Sequence, residues 1–254
     1  MTLFHAQDIS IRFGGIRAVD AVSFDVEPGE VFSIIGPNGA GKTTIFNLIS
    51  RIYNPTSGRL VFNEQDITTT PAHRIASLGI ARTFQNIELF TNATLLQNLL
   101  IGRHCHTRAS FLAQLGFLPS VRREEITHRE KAEDVIAFLG LERYRDTLIA
   151  NLPYGVRKVV ELGRALCTEP KLLLLDEPSS GLNLEETEVM GFWIEDIKKD
   201  LGITVIMVEH DMNLVRQVSD RVMALNYGRM MALGTPAEVQ SHPEVIRAYI
   251  GGEA

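Results

Sequence analysis

From Leu3 to Phe13 and again from Ala18 to Val26, apolar and polar residues roughly alternate, the two-residue period of half-buried strands. Gly14–Gly15 and Pro28–Gly29 punctuate them. Val31–Ile35 is a short apolar run ending in glycine, and an apolar helical pattern starts at Lys42. Gly58–Phe62 predicts another strand, and Gly79–Phe84 a strand or an extended loop entry. Thr70–Pro71 predicts a helix start, with threonine as cap and proline in the first helical position. From about Thr94 to Gly140 the pattern is helical, with a loop near Gly116–Ser120. Within it the run RREEITHREK predicts a solvated helix face with charges spaced for i,i+4 contacts. Val156–Cys167 is helical, and Lys171–Leu175 is an intensely apolar strand. A helix over Leu184–Leu201, a β-branched strand over Gly202–Val208 and a helix over Asp211–Val218 follow. Arg221–Asn226 and Arg229–Leu233 form a hairpin pattern across Tyr227–Gly228. Thr235 with Glu238, and Ser241 with Glu244, both fit a capping box, so two short helices are expected at the end.

Apolar strands alternating with helices predict an α/β fold with a mostly parallel core sheet and helices on its faces. The stretch from 90 to 166 lacks strand runs. It predicts a helical subdomain inserted into a core made of 1–89 and 167–254. No internal repeat is visible.

Charge and composition narrow the function. Lys plus Arg is 25 and Asp plus Glu is 31, a formal net charge of −6. A dedicated nucleic-acid binder carries a basic excess, because phosphate contacts dominate its affinity, so no nucleic-acid partner is expected. The two cysteines, Cys105 and Cys167, are far apart and make neither a disulfide framework nor a zinc site. The start, MTLFHAQDIS, lacks a basic region followed by an apolar stretch, so no signal peptide is expected. No apolar run approaches the ~20 residues of a spanning helix, so any membrane role comes through partners.

Residues 36–43, GPNGAGKT, then carry the chemistry. They match G-x-x-x-x-G-K-[ST] between a strand and a helix, the context that a phosphate-binding loop requires. Gly36, Gly39 and Gly41 let the backbone turn tightly around Pro37, Asn38 and Ala40, so that amides converge on a β-phosphate. Lys42 is a mobile cation for the β- and γ-phosphates, and Thr43 offers a hydroxyl to Mg²⁺. Thr44 is placed for the α-phosphate at a helix N-terminus.

Leu172–Leu175 run into Asp176 and Glu177. An aspartate at the C-terminal end of a buried strand can hold the Mg²⁺ shell of a nucleotide, and a carboxylate one step on can orient or deprotonate water. The same pair could also simply cap the next element. After the strand at 203–208 come Glu209, His210 and Asp211. A histidine there reaches a γ-phosphate or is an ordinary surface group.

With these motifs in order, the chain resembles the P-loop NTPases of the ABC ATPase type over essentially its whole length. The feature specific to that family is LPYGV at 152–156, which resembles the signature usually written LSGGQ. The resemblance implies an ATPase with ATP and Mg²⁺ as cofactors, an antiparallel β subdomain beside the core, and a head-to-tail dimer. There the signature of one subunit, here Pro153, Tyr154 and Gly155, closes on the nucleotide of the other. Pro153 stands where the family's serine donates a hydroxyl, Tyr154 replaces a glycine and Val156 the glutamine. The contact to the γ-phosphate then rests more on backbone amides, and one hydrogen bond to a charged group is worth roughly 1.5–3 kcal/mol.

Residue by residue, Phe13 matches the aromatic that stacks on adenine, its rival reading being an ordinary core phenylalanine. Gln85, in ARTFQN, matches the glutamine that touches Mg²⁺ or the attacking water. Ser180–Asn183 matches the D-loop, with Asn183 in place of an aspartate, and His210 the switch histidine. Asp176 and Glu177 match the metal-holding and water-positioning carboxylates.

More narrowly, IRFGGIRAVD, ARTFQNIELF, LPYG, GLN, VEHDM and PEVIRAYIGG resemble the ATP-binding subunits of branched-chain (hydrophobic) amino acid importers. That implies a peripheral subunit on the cytoplasmic face of the membrane. Its partners would be integral permease subunits, a second ABC ATPase (the same chain or a homologue) and, indirectly, an extracytoplasmic substrate-binding protein. A groove lined by residues after Gln85, with Ile87, Leu89 or Phe90 uncovered, is expected to receive the permease. Related transporters for urea, short amides, aromatic acids or lipopolysaccharide are the alternative, ahead of a soluble ABC ATPase. A P-loop kinase or GTPase would leave LPYGV unexplained, and no N-K-x-D motif is present. The His-Cys-His run at 104–106 faces different ways on a helix and is left out of the site.

Overall fold

The computed structural model describes residues 2–83, 87–107 and 119–250. Strands β1 (Phe4–Phe13) and β2 (Ile16–Val26) form an antiparallel hairpin, and β3 (Val31–Ile35) leads into helix α1 (Lys42–Ile49). Next come β4 (Ser57–Phe62), β5 (Gln65–Asp66), the one-turn helix α2 (Ile75–Leu78) and β6 (Ile80–Arg82). Helices α3 (Leu95–Gly102), α4 (Pro119–Phe138) and α5 (Tyr154–Leu166) precede β7 (Leu172–Asp176). The chain closes with α6 (Leu184–Lys199), β8 (Thr204–Val208), α7 (Met212–Val218), β9 (Arg221–Asn226), β10 (Arg229–Gly234), α8 (Pro236–Ser241) and α9 (Pro243–Ile250).

Among the described residues these strands form two sheets. One is antiparallel, in the order β2-β1-β4-β5; the other runs β10-β9-β3-β8-β7-β6. In the second sheet β3, β6, β7, β8 and β9 pair in parallel, and β10 closes the edge as an antiparallel hairpin with β9. The apolar run of β7 is explained by this position. Leu172 and Leu174 pack into one core with Phe24, Phe32 and Phe46 between the two sheets. Leu173 and Leu175 pack into the other, with Leu95, Ile136 and Ile194 of the helices. A strand covered on both faces needs apolar residues at every position. Each leucine so buried contributes roughly 1.5–3 kcal/mol.

The helices from α3 to α5 pack closely against one another. A Cβ at Gly102, the end of α3, would lie 2.3 Å from the Arg164 carbonyl oxygen of α5, so only glycine allows this approach. Asn98, fully buried, holds the entering segment. Its Oδ1 accepts from the Phe90 amide at 2.8 Å and its Nδ2 donates to the Phe90 carbonyl at 3.1 Å.

Three local expectations differ from the structure. Thr70 does not cap a helix: Pro71 is extended, a 3-10 turn covers Ala72–Arg74, and α2 follows from Ile75. Ser241 is not an N-cap. It is the last residue of α8, and its hydroxyl donates backward to the Ala237 and Glu238 carbonyls at 2.9 and 3.0 Å. The box at Thr235 and Glu238 is present, with both reciprocal bonds made. The short strand β5 carries no apolar signal and was not expected. Burial pushes the Cys167 thiol up to about 12. Among the described residues no helix is long and apolar enough to cross a membrane.

Candidate functional site

The parallel register places the chemistry. Ile34 of β3 lies beside Val208 of β8, and Asp176 of β7 lies beside that same Val208. The loops leaving β3, β7 and β8 therefore emerge side by side at the C-terminal edge of the sheet, where such sheets bind ligands.

The loop after β3 turns through left-handed glycines at Gly36, Gly39 and Gly41, with φ of 151°, 79° and 105°. A Cβ at Gly36 would lie 2.2 Å from the Leu225 carbonyl oxygen, so this turn tolerates no side chain. Ala40 is buried beneath the loop, while Asn38, Gly39 and Thr43 are exposed and Pro37 and Thr44 are half-buried. Helix α1 opens without a side-chain cap and without an acidic residue in its first turn. Its first amides thus retain capacity for an anion, which the helix dipole favours. Lys42 curls back under the loop, its ammonium donating to the Gly36 and Pro37 carbonyls at 2.7 and 3.0 Å. Burial pulls its pKa down, opposed by the charges of Glu177 and Asp176.

Asp176 is buried, and its Oδ2 lies 2.8 Å from Nη2 of Arg82. Arg82 also donates to Asn47 Oδ1 of α1 and to Oγ of Ser50, which caps its C-terminus, at 2.7 and 3.0 Å. This arginine was not singled out from the sequence. Its position at the end of a strand paired with β7 becomes visible only with the strand order. Glu177 follows in the left-handed region, at φ 49°, with its amide bonded to the Val208 carbonyl at 2.9 Å.

Glu209 was also missed as a functional group. It is fully buried between the loops after β7 and β8. Its carboxylate accepts from the Ser179 amide at 2.8 Å and from the His210 and Asp211 amides at 2.8 and 3.1 Å. The His210 side chain itself is 61% exposed and faces the same cleft as Ser179, Gly181, Asn183 and Leu184. Asp211 caps α7, accepting from the Asn213 and Leu214 amides.

The signature segment meets the loop that follows β7. Pro153 occupies the N-cap position of α5 without a side-chain cap bond. The Tyr154 hydroxyl donates to the Ser180 carbonyl at 3.3 Å. Gly155 packs against α6 so closely that a Cβ would lie 2.3 Å from Glu186 Oε1. Asn183 forms a capping box with Glu186 at the start of α6. Phe13 is 44% exposed and meets the ring of Tyr53 edge-on, centroids 5.1 Å apart. It is no core residue. Tyr53, two residues beyond Arg51 after α1, is the partner that sequence reading did not name. Gln85 lies outside the described residues.

The donors fit a nucleotide and a hard cation. The uncapped helix and the glycine turn suit phosphates, while the Thr43 hydroxyl and the Asp176 carboxylate supply oxygen ligands. Among the described residues no group of three His, Cys, Asp or Glu could hold a metal alone. Mg²⁺ takes one or two carboxylates and completes its shell with substrate phosphates. A separate groove between α1, α2, α3 and α5, about 520 Å³ in volume, is lined by Ile52, Ile75, Ile101, Cys105 and Arg164. Phe90, 60% exposed, lies on the segment that enters α3, with Ile87 and Leu89 half-buried beside it.

Comparison with known proteins gives concordant results. Residues 19–180 match the ABC transporter family model, and residues 229–254 match that of the branched-chain amino acid ATP-binding cassette transporter. The chain is 39% identical over 249 residues to the high-affinity branched-chain amino acid transport ATP-binding protein BraF of Pseudomonas aeruginosa, covering 98% of both chains. It is 37% identical over 249 residues to LivG of Escherichia coli, of the same description, again covering 98% of both. A crystal structure of an ATP-binding cassette of an ABC transporter in its ADP conformation superposes with a TM-score of 0.87, at 34% identity, covering 99% of each chain.

Proposed function

This chain belongs to the ABC transporter family of ATP-binding subunits, and we propose that it hydrolyses ATP to drive import of branched-chain or other hydrophobic amino acids. The observation that carries this reading is the convergence of the phosphate loop, the Asp176–Glu177 pair and His210 at one edge of one parallel sheet. The cargo class is supported by the full-length likeness to BraF and LivG and by the match of residues 229–254.

Lys42 and the amides of residues 36–44 would hold the phosphates, and Thr43 and Asp176 would supply oxygen ligands to Mg²⁺, a role that the sequence resemblance also gives to Gln85. Bound Mg-ATP supplies the phosphoanhydride to be cleaved and a cation that offsets its charge. Phe13, with Tyr53 at its edge, offers an exposed aromatic face to the adenine. Glu177 orients or deprotonates the attacking water, and His210 reaches toward the γ-phosphate. Closure against a second ABC ATPase, a copy of this chain or a homologue, completes each site with the signature turn of the opposite subunit, which in this chain is Pro153–Gly155. The groove between α1, α2, α3 and α5, together with Phe90, receives the permease at the cytoplasmic face of the membrane.

Two measurements test this reading. Glu177→Gln is expected to bind ATP like the parent and to accumulate as an ATP-bound dimer on size exclusion. Parental turnover by that variant removes Glu177 from the role. Deletion of the chain from its host is expected to abolish uptake of labelled leucine, isoleucine and valine. Unchanged uptake of these three, with loss of urea, short-amide or aromatic-acid uptake, reassigns the cargo.

A further inference from the structure

Helix α5 presses its first two turns against the loop that carries Glu177. Lys158 is 4% exposed there, and its ammonium donates to the Glu177 carbonyl oxygen at 3.3 Å. One turn earlier the Tyr154 hydroxyl donates to the Ser180 carbonyl at the same distance, 3.3 Å. Residues four apart share a helix face, so α5 grips this loop at two carbonyls from one side. A Cβ at Gly181 would lie 2.8 Å from the Tyr154 ring, which shows how closely the two pieces meet.

Burying an ammonium is costly, and desolvation pulls the Lys158 pKa down although Glu161, Glu209, Glu177 and Asp176 oppose it. The same small cavity is lined by Leu162, Leu175, Pro178 and Met190, and also by Thr83 and the buried Glu161. Beside its attraction to these carboxylates, lysine adds over methionine a directed, charge-assisted bond to the main chain of Glu177. Glu177 has a use for it. Its φ of 49° is left-handed, a conformation that a non-glycine residue keeps only where its surroundings enforce it.

We propose that Lys158 is a positioning residue for hydrolysis: by holding the Glu177 carbonyl it fixes the left-handed turn and so aims the Glu177 carboxylate at the attacking water. The helix that does this begins with the signature segment, so a shift of that segment also shifts the carboxylate of its own subunit. The proposal rests on the reading of Glu177 given above.

The test compares Lys158→Met, which keeps the length but not the donor, with Lys158→Arg, which keeps donor and charge. Both are made in the full chain, and kcat, KM and equilibrium binding of a fluorescent ATP analogue with Mg²⁺ are measured. Lys158→Met is expected to lower kcat about 30- to 100-fold, the scale of a 1 Å misplacement. Its KM and nucleotide affinity are expected to stay within about twofold of the parent. Lys158→Arg is expected to recover most of the loss. Should the methionine variant fail to fold, Lys158→Gln carries the same test, since its shorter amide withdraws from the carbonyl. Parental kcat in Lys158→Met or its glutamine substitute overturns the proposal. So does a loss of kcat and affinity together that arginine does not relieve. If Glu177→Gln is inactive while Lys158→Met is unimpaired, this proposal fails alone; if Glu177→Gln is fully active, the reading beneath it fails.

Discussion

At the scale of single residues, the phosphate loop was legible because its spacing is its chemistry: glycines, lysine and threonine must follow one another in order. Arg82 and Glu209 were not legible, because what they touch is set by which strands lie side by side. The Arg82–Asp176 pair is 8% and 4% exposed at its side chains. Removing one member of a buried pair leaves the other charge without its partner and costs about 3–5 kcal/mol. Arg82→Met is therefore expected to lower the melting temperature by on the order of 10 °C for a chain of this size. Arg82→Lys is expected to fall between it and the parent, since an ammonium lacks the fork that reaches Asp176, Asn47 and Ser50 together. Thermal unfolding of the three proteins checks this; a methionine variant as stable as the parent would show that the pair contributes nothing. The departures in LPYGV also gained meaning from geometry. Tyr154 fills space against Ser180 and Gly181 of its own chain, a role that no spacing announces.

At the scale of elements, the strands and long helices were readable because burial on one or two faces leaves a period, as in Leu172–Leu175. Ends were less readable. Thr70 and Ser241 have the residue types of caps, yet the 3-10 turn after Pro71 and the backward bonds of Ser241 use them differently. Asn183 shows the converse. Its position matches the D-loop, and the structure also makes it the cap of α6: its Oδ1 accepts from the Glu186 amide at 2.9 Å, and Glu186 Oε2 accepts from the Asn183 amide at 3.0 Å. Asn183→Ala is expected to cost about 1 kcal/mol, the usual loss for such a cap. Asn183→Asp, the residue the family usually carries, is expected to stay near the parent because a carboxylate caps equally well and suits the helix N-terminus. Urea unfolding midpoints distinguish the two. Equal losses in both variants would mean that the amide nitrogen of Asn183, rather than its oxygen, is the group that matters.

At the scale of the molecule, the parallel core and the inserted helices followed from alternating strand and helix signals and from a long stretch without strands. The order of the strands did not, because crossovers leave no trace in periodicity. Nor did the way the antiparallel sheet is fastened to the core. Beside the shared apolar core, part of that fastening runs through Asp20 of β2, whose carboxylate accepts from Arg229 of β10 at 2.7 and 3.0 Å and from Arg17 at 2.5 Å. The main chain joins in, the Asp20 amide donating to the Gly228 carbonyl at 2.8 Å. The hydrogen bond from Arg229, then that from Arg17, holds the Asp20 carboxyl below its ordinary range. A carboxylate depressed in the folded state stabilises fully above its unfolded pKa, about 3.9, and loses that contribution as pH falls through the lowered value. Asp20→Asn cannot titrate and keeps only neutral bonds to the two arginines. The parent is therefore expected to have the higher urea midpoint at pH 7, with the gap constant down to about pH 5 and closing as acid protonates the carboxylate. A gap that persists unchanged through pH 3 would mean that the asparagine variant loses packing at this seam rather than charge.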